Sequence, residues 1–267
     1  SPVFLTSTLQ LGRVYDAACE ISVERDERVA DDVLIPVVAE CDDSFLNDNR
    51  RMQVTRDDVR SAWDAALASR GSAFAPAEGS VGAGTGMSCL GFKGGIGTAS
   101  RITPEGHTVA VLLMTNYGLR DQLVVDGVPI GRLLGPTGVP GVSKPAGSCI
   151  GVVVTDAPVD GASCARLARR VGLGLARTGS VAQHGSGEIF LACSTGLRLD
   201  RAGRYDARVA VSGRALDPLF TAVAEATEEA VLNSLLCSPT TVGRAGNTSE
   251  GLDPDVVAGL LREHGRL

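Results

Sequence analysis

Aromatic residues make up only 4% of the sequence, with a single tryptophan and three histidines. His107, His184 and His264 show no metal-ligand spacing, so no metal site is expected and a Ser-His-Asp triad has few candidates. The seven cysteines (Cys19, Cys41, Cys89, Cys149, Cys164, Cys193 and Cys237) contain no CxxC pair. Their number is odd and several sit in apolar runs, which predicts buried free thiols in a reducing compartment rather than a disulfide framework. No apolar run approaches the length of a membrane span. No signal-peptide pattern is seen, which predicts a cytoplasmic protein with no membrane partner. Excess basic charge is also lacking. A net charge of −6 argues against a nucleic-acid surface and leaves small molecules as the expected partners.

Glycine is abundant, at 33 of 267 residues, and 44% of the chain is hydrophobic. One globular domain over 1–267 with many turns is expected. Short apolar runs at 3–11, 33–39, 109–115, 150–154 and 189–194 read as strands, and 122–134 as a shorter strand pair. A weaker strand is predicted over 205–211. Helical spacing is seen over 14–25, 160–175 and 216–236. Thr55 caps a helix with Val59, Ala62, Trp63, Ala66 and Leu67 on one face, and Asp253-Pro254 opens a last helix to Glu263. Strands and helices alternate in blocks, which favours α+β layers over a doubly wound sheet.

One bond stands out, Gly147–Ser148. A Gly/Pro-rich stretch runs from Gly131 to Gly147, and the buried strand at Ile150 follows at once. Ser148 therefore stands where a loop enters a rigid element. If this bond were cut, Ser148 would carry a nucleophilic hydroxyl and a free amine base on one residue.

Other motifs are open to more than one reading. Phe92-Lys93-Gly94-Gly95-Ile96-Gly97-Thr98 lacks the lysine that a phosphate loop places before its hydroxyl residue. Together with Gly82-Ala83-Gly84-Thr85-Gly86 it reads as close backbone crossings, or as loops that shape an active site. Asn116, at the end of a strand, is either a turn residue or an oxyanion-hole amide. Ser186 and Glu188 are two apart, so an extended backbone puts both on one face, as a polar turn or as a hydrogen-bond relay.

As an ordered set these segments resemble the self-processing aminopeptidases of the DmpA and β-aminopeptidase family, which also includes a nylon-oligomer hydrolase. The likeness runs from Ser1-Pro2-Val3-Phe4-Leu5-Thr6 through the glycine tracts and Thr155-Asp156-Ala157-Pro158. It continues in Gly172-Leu173-Gly174-Leu175-Ala176-Arg177-Thr178-Gly179, Gly185-Ser186-Gly187-Glu188 and Glu225-Ala226-Thr227-Glu228-Glu229-Ala230. The resemblance implies a four-layer α-β-β-α sandwich, like N-terminal-nucleophile hydrolases but differently connected. It implies self-cleavage at Gly147–Ser148 into pieces 1–147 and 148–267, with Ser148 as nucleophile. Asn116 matches the family's oxyanion asparagine, Ser186 and Glu188 the pair supporting the nucleophile, and Lys93 a lysine near the site in some members. Short peptide or amide substrates, no cofactor, and assembly into a homo-oligomer are implied as well. The family carries a further N-terminal segment, expected to be absent here. Where it often has an aromatic before Asp-Gly, this chain has Asp42 before Asp43-Ser44, an added carboxylate that would favour doubly cationic substrates. An acyltransferase of the ornithine acetyltransferase type and an uncut, inactive binding subunit are the alternatives. A serine rather than a threonine nucleophile argues against the acyltransferase.

Overall fold

A computed structural model describes residues 2–31, 33–72, 74–136, 147–198, 200, 204 and 209–267. In chain order, β1 (Val3–Ser7), α1 (Leu11–Arg25), β2 (Val37–Cys41) and α2 (Arg56–Ala68) form the first block. Short β3 (Ser88–Cys89) and β4 (Phe92–Lys93) pair antiparallel and lead into β5 (Ile96–Ile102), β6 (Thr108–Asn116) and α3 (Ile130–Leu133). Next come β7 (Ser148–Thr155), α4 (Gly161–Ala168), α5 (Val171–Arg177), β8 (Gly187–Ser194), α6 (Asp217–Leu236) and α7 (Pro254–Glu263).

The main sheet has the order β5-β6-β7-β8, antiparallel except for the parallel β7–β8 pair. Period-2 alternation sends Val109, Val111 and Leu113 of β6, with Cys149 and Val153 of β7, to one face. There α6 packs across β5 and β6, α4 covers β8, and α5 lies on α6. Met114 and Ile150 point to the other face, where they meet Cys41, Leu5 and Ala39 of the parallel β1–β2 pair. On the outer side of that pair, Phe4 and Val38 pack against Val14, Ala17, Ile21, Val59 and Trp63 of α1 and α2. The layers therefore run α-β-β-α, and the fold is the expected α+β sandwich.

The glycine-rich tract is where backbones cross. A Cβ on Gly97 of β5 would lie 1.8 Å from the Ala230 carbonyl of α6, and one on Gly84 would lie 2.7 Å from the Gly79 carbonyl. Small residues on both sides let α6 sit directly on the sheet. Its buried face is broad (Leu219, Val223, Ala226, Ala230, Leu235), because α5 covers the side away from the sheet.

Several expectations are corrected. The segment predicted as a strand pair over 122–134 holds a single Val125–Val128 bridge and the short α3. The predicted helix over 160–175 is two helices meeting at Arg169 and Arg170, whose ψ relaxes to −21° and −18°. Strand β2 begins only after Pro36, which cannot donate to a ladder. Only the first half of the α2 stripe is covered. Val59 is buried, but Ala62, Ala66 and Leu67 are exposed, because the packing from α1, Phe4 and Val38 reaches Val59 and Trp63 and not these positions. Residues 209–211 are not a strand, and 205–208 of that prediction lie outside the described residues. The Gly/Pro stretch before Ser148 falls outside them over 137–146.

Candidate active site

Ser148 is the first residue of β7 and stands directly opposite Asn116, the last residue of β6. Opposed residues share a face, so both side chains point between the two sheets, in line with Ile150 and Met114. The loop-to-strand boundary seen in the sequence thus becomes a hydroxyl fixed at the rim of a sheet. Ser148 Oγ is buried and makes no hydrogen bond among the described residues. The thiol of Cys41, at the end of β2, faces it. Burial pushes that thiol's pKa up to about 12, against the opposing pull of the Ser148 hydroxyl, so Cys41 stays a neutral thiol. The thiol also makes a weak donation to the Met114 carbonyl at 3.9 Å.

Asn116 is held from two sides. Its Oδ1 accepts from the Ser88 N–H at 2.9 Å, and its Nδ2 donates to the Asp42 carbonyl at 2.7 Å. Together these fix the amide orientation and leave the second Nδ2 hydrogen for another acceptor. The Asp42 carboxylate is turned back into its own loop. It accepts from the Ser44 N–H and Ser44 Oγ, both at 2.9 Å, and from Asn49 Nδ2 at 3.3 Å. Burial raises the pKa of neighbouring Asp43.

Ser186 Oγ donates to Glu188 Oε1 at 2.7 Å, the relay arrangement that their spacing allows. Glu188 stands opposite Cys149, and Phe190 and Ala192 of the same face pack into the α6 core. This pair therefore lies on the opposite face from the Ser148 hydroxyl. The Ser148 main chain, whose nitrogen would become the amine, runs between the two faces.

Lys93 is fully buried on β4, opposite Ser88. Its Nζ donates to the carbonyls of Gly94 at 2.6 Å and Gly84 at 3.0 Å. Desolvation lowers its pKa to about 8. It joins the site through Ser88, which grips Asn116.

The scissile bond expected from the sequence has its own setting. The Gly147 carbonyl accepts from the Gly187 N–H of β8 at 3.1 Å. A Cβ on Gly147 would lie 2.5 Å from the Asn116 carbonyl oxygen. Sequence reasoning missed the roles of Cys41, Ser88 and Gly187. Alternation of Ala39 and Cys41 toward the core was the only local sign of the first, and the other two act through main-chain N–H groups that leave no residue signature. Among the described residues, no group of three or more His, Cys, Asp or Glu side chains gathers to hold a metal, and no helix is long and apolar enough to cross a membrane.

The family described as Peptidase family S58 matches residues 1–249. The β-peptidyl aminopeptidase BapA of Sphingosinicella xenopeptidilytica is 36% identical over 279 residues, covering 98% of this chain and 68% of that protein. The solved PH0078 protein of Pyrococcus horikoshii OT3 superposes with a TM-score of 0.87 at 38% identity, over 98% of this chain and 72% of that one. The L-aminopeptidase D-Ala-esterase/amidase of Ochrobactrum anthropi, described as a prototype for the serine aminopeptidases and a new variant of the Ntn-hydrolase fold, gives 0.86 at 33% identity. That match covers 98% of this chain and 73% of the other.

Proposed function

Because the chain belongs to peptidase family S58, we propose that it is a self-processing aminopeptidase and amidase with Ser148 as its N-terminal nucleophile. It is a hydrolase acting on peptide bonds. The observation that carries the assignment of Ser148 is its position: a buried hydroxyl beside the Cys41 thiol and opposite Asn116, one residue after a glycine whose carbonyl is already hydrogen-bonded.

In this reading the precursor cuts itself at Gly147–Ser148. The pieces 1–147 and 148–267 remain joined, because β6 and β7 share a ladder from Val109–Thr155 to Asn116–Ser148. The freed Ser148 amine, with a reference pKa of about 7.7–8.0, takes the hydroxyl proton as the serine attacks a substrate carbonyl. The second Nδ2 hydrogen of Asn116 stabilises the oxyanion. Ser186 and Glu188, hydrogen-bonded to each other, reach the amine from the neighbouring strand and pass its proton to the leaving group. Buried Lys93 places its charge behind Ser88 and Asn116. Substrates are short peptides, amides or esters with a free amino group, of the β-amino or L-amino kind named for the relatives. No disulfide joins any of the seven cysteines, which supports a reducing, cytoplasmic setting. A homo-oligomer is part of the same proposal and rests on the family resemblance.

The test is release of amine from amino-acid p-nitroanilides, with free or acetylated N-termini. Turnover of the free form alone, abolished in Ser148→Ala and lowered on the order of 10²–10³-fold in Asn116→Ala, is the expected result. Equal turnover of the acetylated form would contradict the aminopeptidase assignment.

A further inference from the structure

When Ser148 attacks its own preceding peptide, negative charge develops on the Gly147 carbonyl oxygen. That oxygen accepts the Gly187 N–H at 3.1 Å in the uncut chain. We propose that the main-chain N–H of Gly187 is the oxyanion donor of the self-cleavage step, distinct from Asn116, and that residue 147 is glycine so that the scissile peptide fits this ladder. The inference rests on the self-processing reading above.

Strand β7 lies between β6 and β8. Ladder hydrogen bonds run in the plane of the sheet, so an oxygen bonded to Gly187 points toward β8 and away from β6, which carries Asn116. The Asn116 side chain projects instead to the face shared with the Ser148 hydroxyl. The two donors therefore address different positions. Gly187 is the first residue of β8 and is registered against Ser148, so the sheet fixes its N–H without any side-chain rotamer to choose. A donor that needs no reorganisation as charge develops is the effective kind.

Gly147 completes the arrangement. Its φ lies outside the left-handed region, so backbone strain does not explain the glycine. Space does: a Cβ there would meet the Asn116 carbonyl oxygen at 2.5 Å and the Tyr117 Cα at 2.9 Å, both main-chain atoms. A larger residue would push the scissile peptide out of reach of Gly187.

The chemistry balances without a co-reactant beyond water. A lone pair of Ser148 Oγ forms the bond to the Gly147 carbonyl carbon, and the C=O π pair moves onto the oxygen held by Gly187. As the pair returns, the bond from the Gly147 carbon to the Ser148 nitrogen breaks, and the hydroxyl proton ends on that nitrogen. The products are an ester and a free amine. Water then gives its hydroxyl to the Gly147 carbon and a proton to Ser148 Oγ.

The experiment follows cleavage of freshly translated full chain by intact mass. Gly187→Pro removes the N–H at the first residue of a strand, where proline is tolerated. Gly187→Ala keeps the N–H, and an added Cβ meets nothing within 4 Å. The expected result is that Gly187→Ala cuts about 10²-fold faster than Gly187→Pro, with both showing the same far-ultraviolet circular dichroism. Equal rates would overturn the proposal while leaving self-processing intact, whereas an uncut wild-type chain would defeat the parent reading. Amide exchange in uncut Ser148→Ala gives a measurement independent of the proline variant's folding. A protected Gly187 amide supports the donor, and exchange at the rate of an open loop overturns it.

Discussion

Cys41 and Lys93 show what burial does to single groups at this site. Cys41, Cys89 and Cys149 are fully buried, and desolvation holds the Cys41 and Cys149 thiols well above their ordinary range. Cys193 and Cys237 are exposed. Iodoacetamide on the native protein at pH 8 is therefore expected to label Cys193 and Cys237 and spare Cys41, Cys89 and Cys149, as peptide mapping would read out; labelling at Cys41 would contradict the buried contact with Ser148. Lys93 has the opposite sign. Its pKa falls to about 8 in the folded chain, against 10.5 ordinarily, so unfolding takes up a proton between those values. Stability conferred at this residue is thus lowest below about pH 8 and rises as pH climbs toward 10.5, by at most roughly 3 kcal/mol. Buried Cys41, Cys149 and Tyr117 act the other way above about pH 9, since their raised pKa values make the folded chain keep protons that the unfolded chain sheds. Urea unfolding of uncut Ser148→Ala, with and without Lys93→Met, isolates the lysine: the stability gap in favour of Lys93→Met narrows between pH 8 and 10. A gap that does not change with pH would contradict a depressed Lys93. At this scale Ser148, Asn116, and the Ser186–Glu188 spacing were legible in the sequence. The partners that hold them were not, because Asp42, Ser88 and Gly187 act through backbone atoms.

Helix α6 and strand β5 depend on each other through small residues. Gly97 sits against the Ala230 carbonyl, and Asn233 donates from Nδ2 to the Thr98 carbonyl at 2.8 Å. Gly97→Ala forces main chain against main chain and is expected to cost on the order of 1–3 kcal/mol or more in urea unfolding. Gly161→Ala, at the start of α4 with open space around it, is expected to change stability little. A neutral Gly97→Ala would mean that α6 can retreat from the sheet. Helix α2 keeps its N-terminal end by a capping box, in which Thr55 accepts from the Asp58 N–H and Asp58 from the Thr55 N–H. Thr55 as the cap was legible in Thr55-Arg56-Asp57-Asp58, and the reciprocal bond from Asp58 was not. Strands β6 and β7 were equally plain, as long β-branched and aliphatic runs. The error at 122–134 has a physical origin: Leu123, Val125, Val128 and Ile130 are all buried by the main core, so their pattern reports burial from several sides rather than a strand period.

Among the described residues, the main sheet and the β1–β2 pair close over one rim residue, Ser148. The layer order follows from pattern alone only in part. Alternation on β6 and β7 says that both faces of the main sheet are covered, but not that a two-stranded parallel pair covers one of them, since β1 and β2 are joined through α1 rather than a turn. The largest core draws Val111 and Leu113 from before Gly147–Ser148 and Val153, Leu219 and Val223 from after it. Cleavage of that bond is therefore expected to leave one particle under native conditions and two chains in denaturant, a contrast that native and denaturing chromatography would display. Intact-mass spectrometry of the purified protein beside Ser148→Ala is the sharpest test of Ser148 as the nucleophile. Two fragments that meet at Gly147–Ser148 are expected in the wild type, and one full-length chain in Ser148→Ala. A single full-length mass in both, or fragments that meet at another bond, would contradict Ser148 as an N-terminal nucleophile.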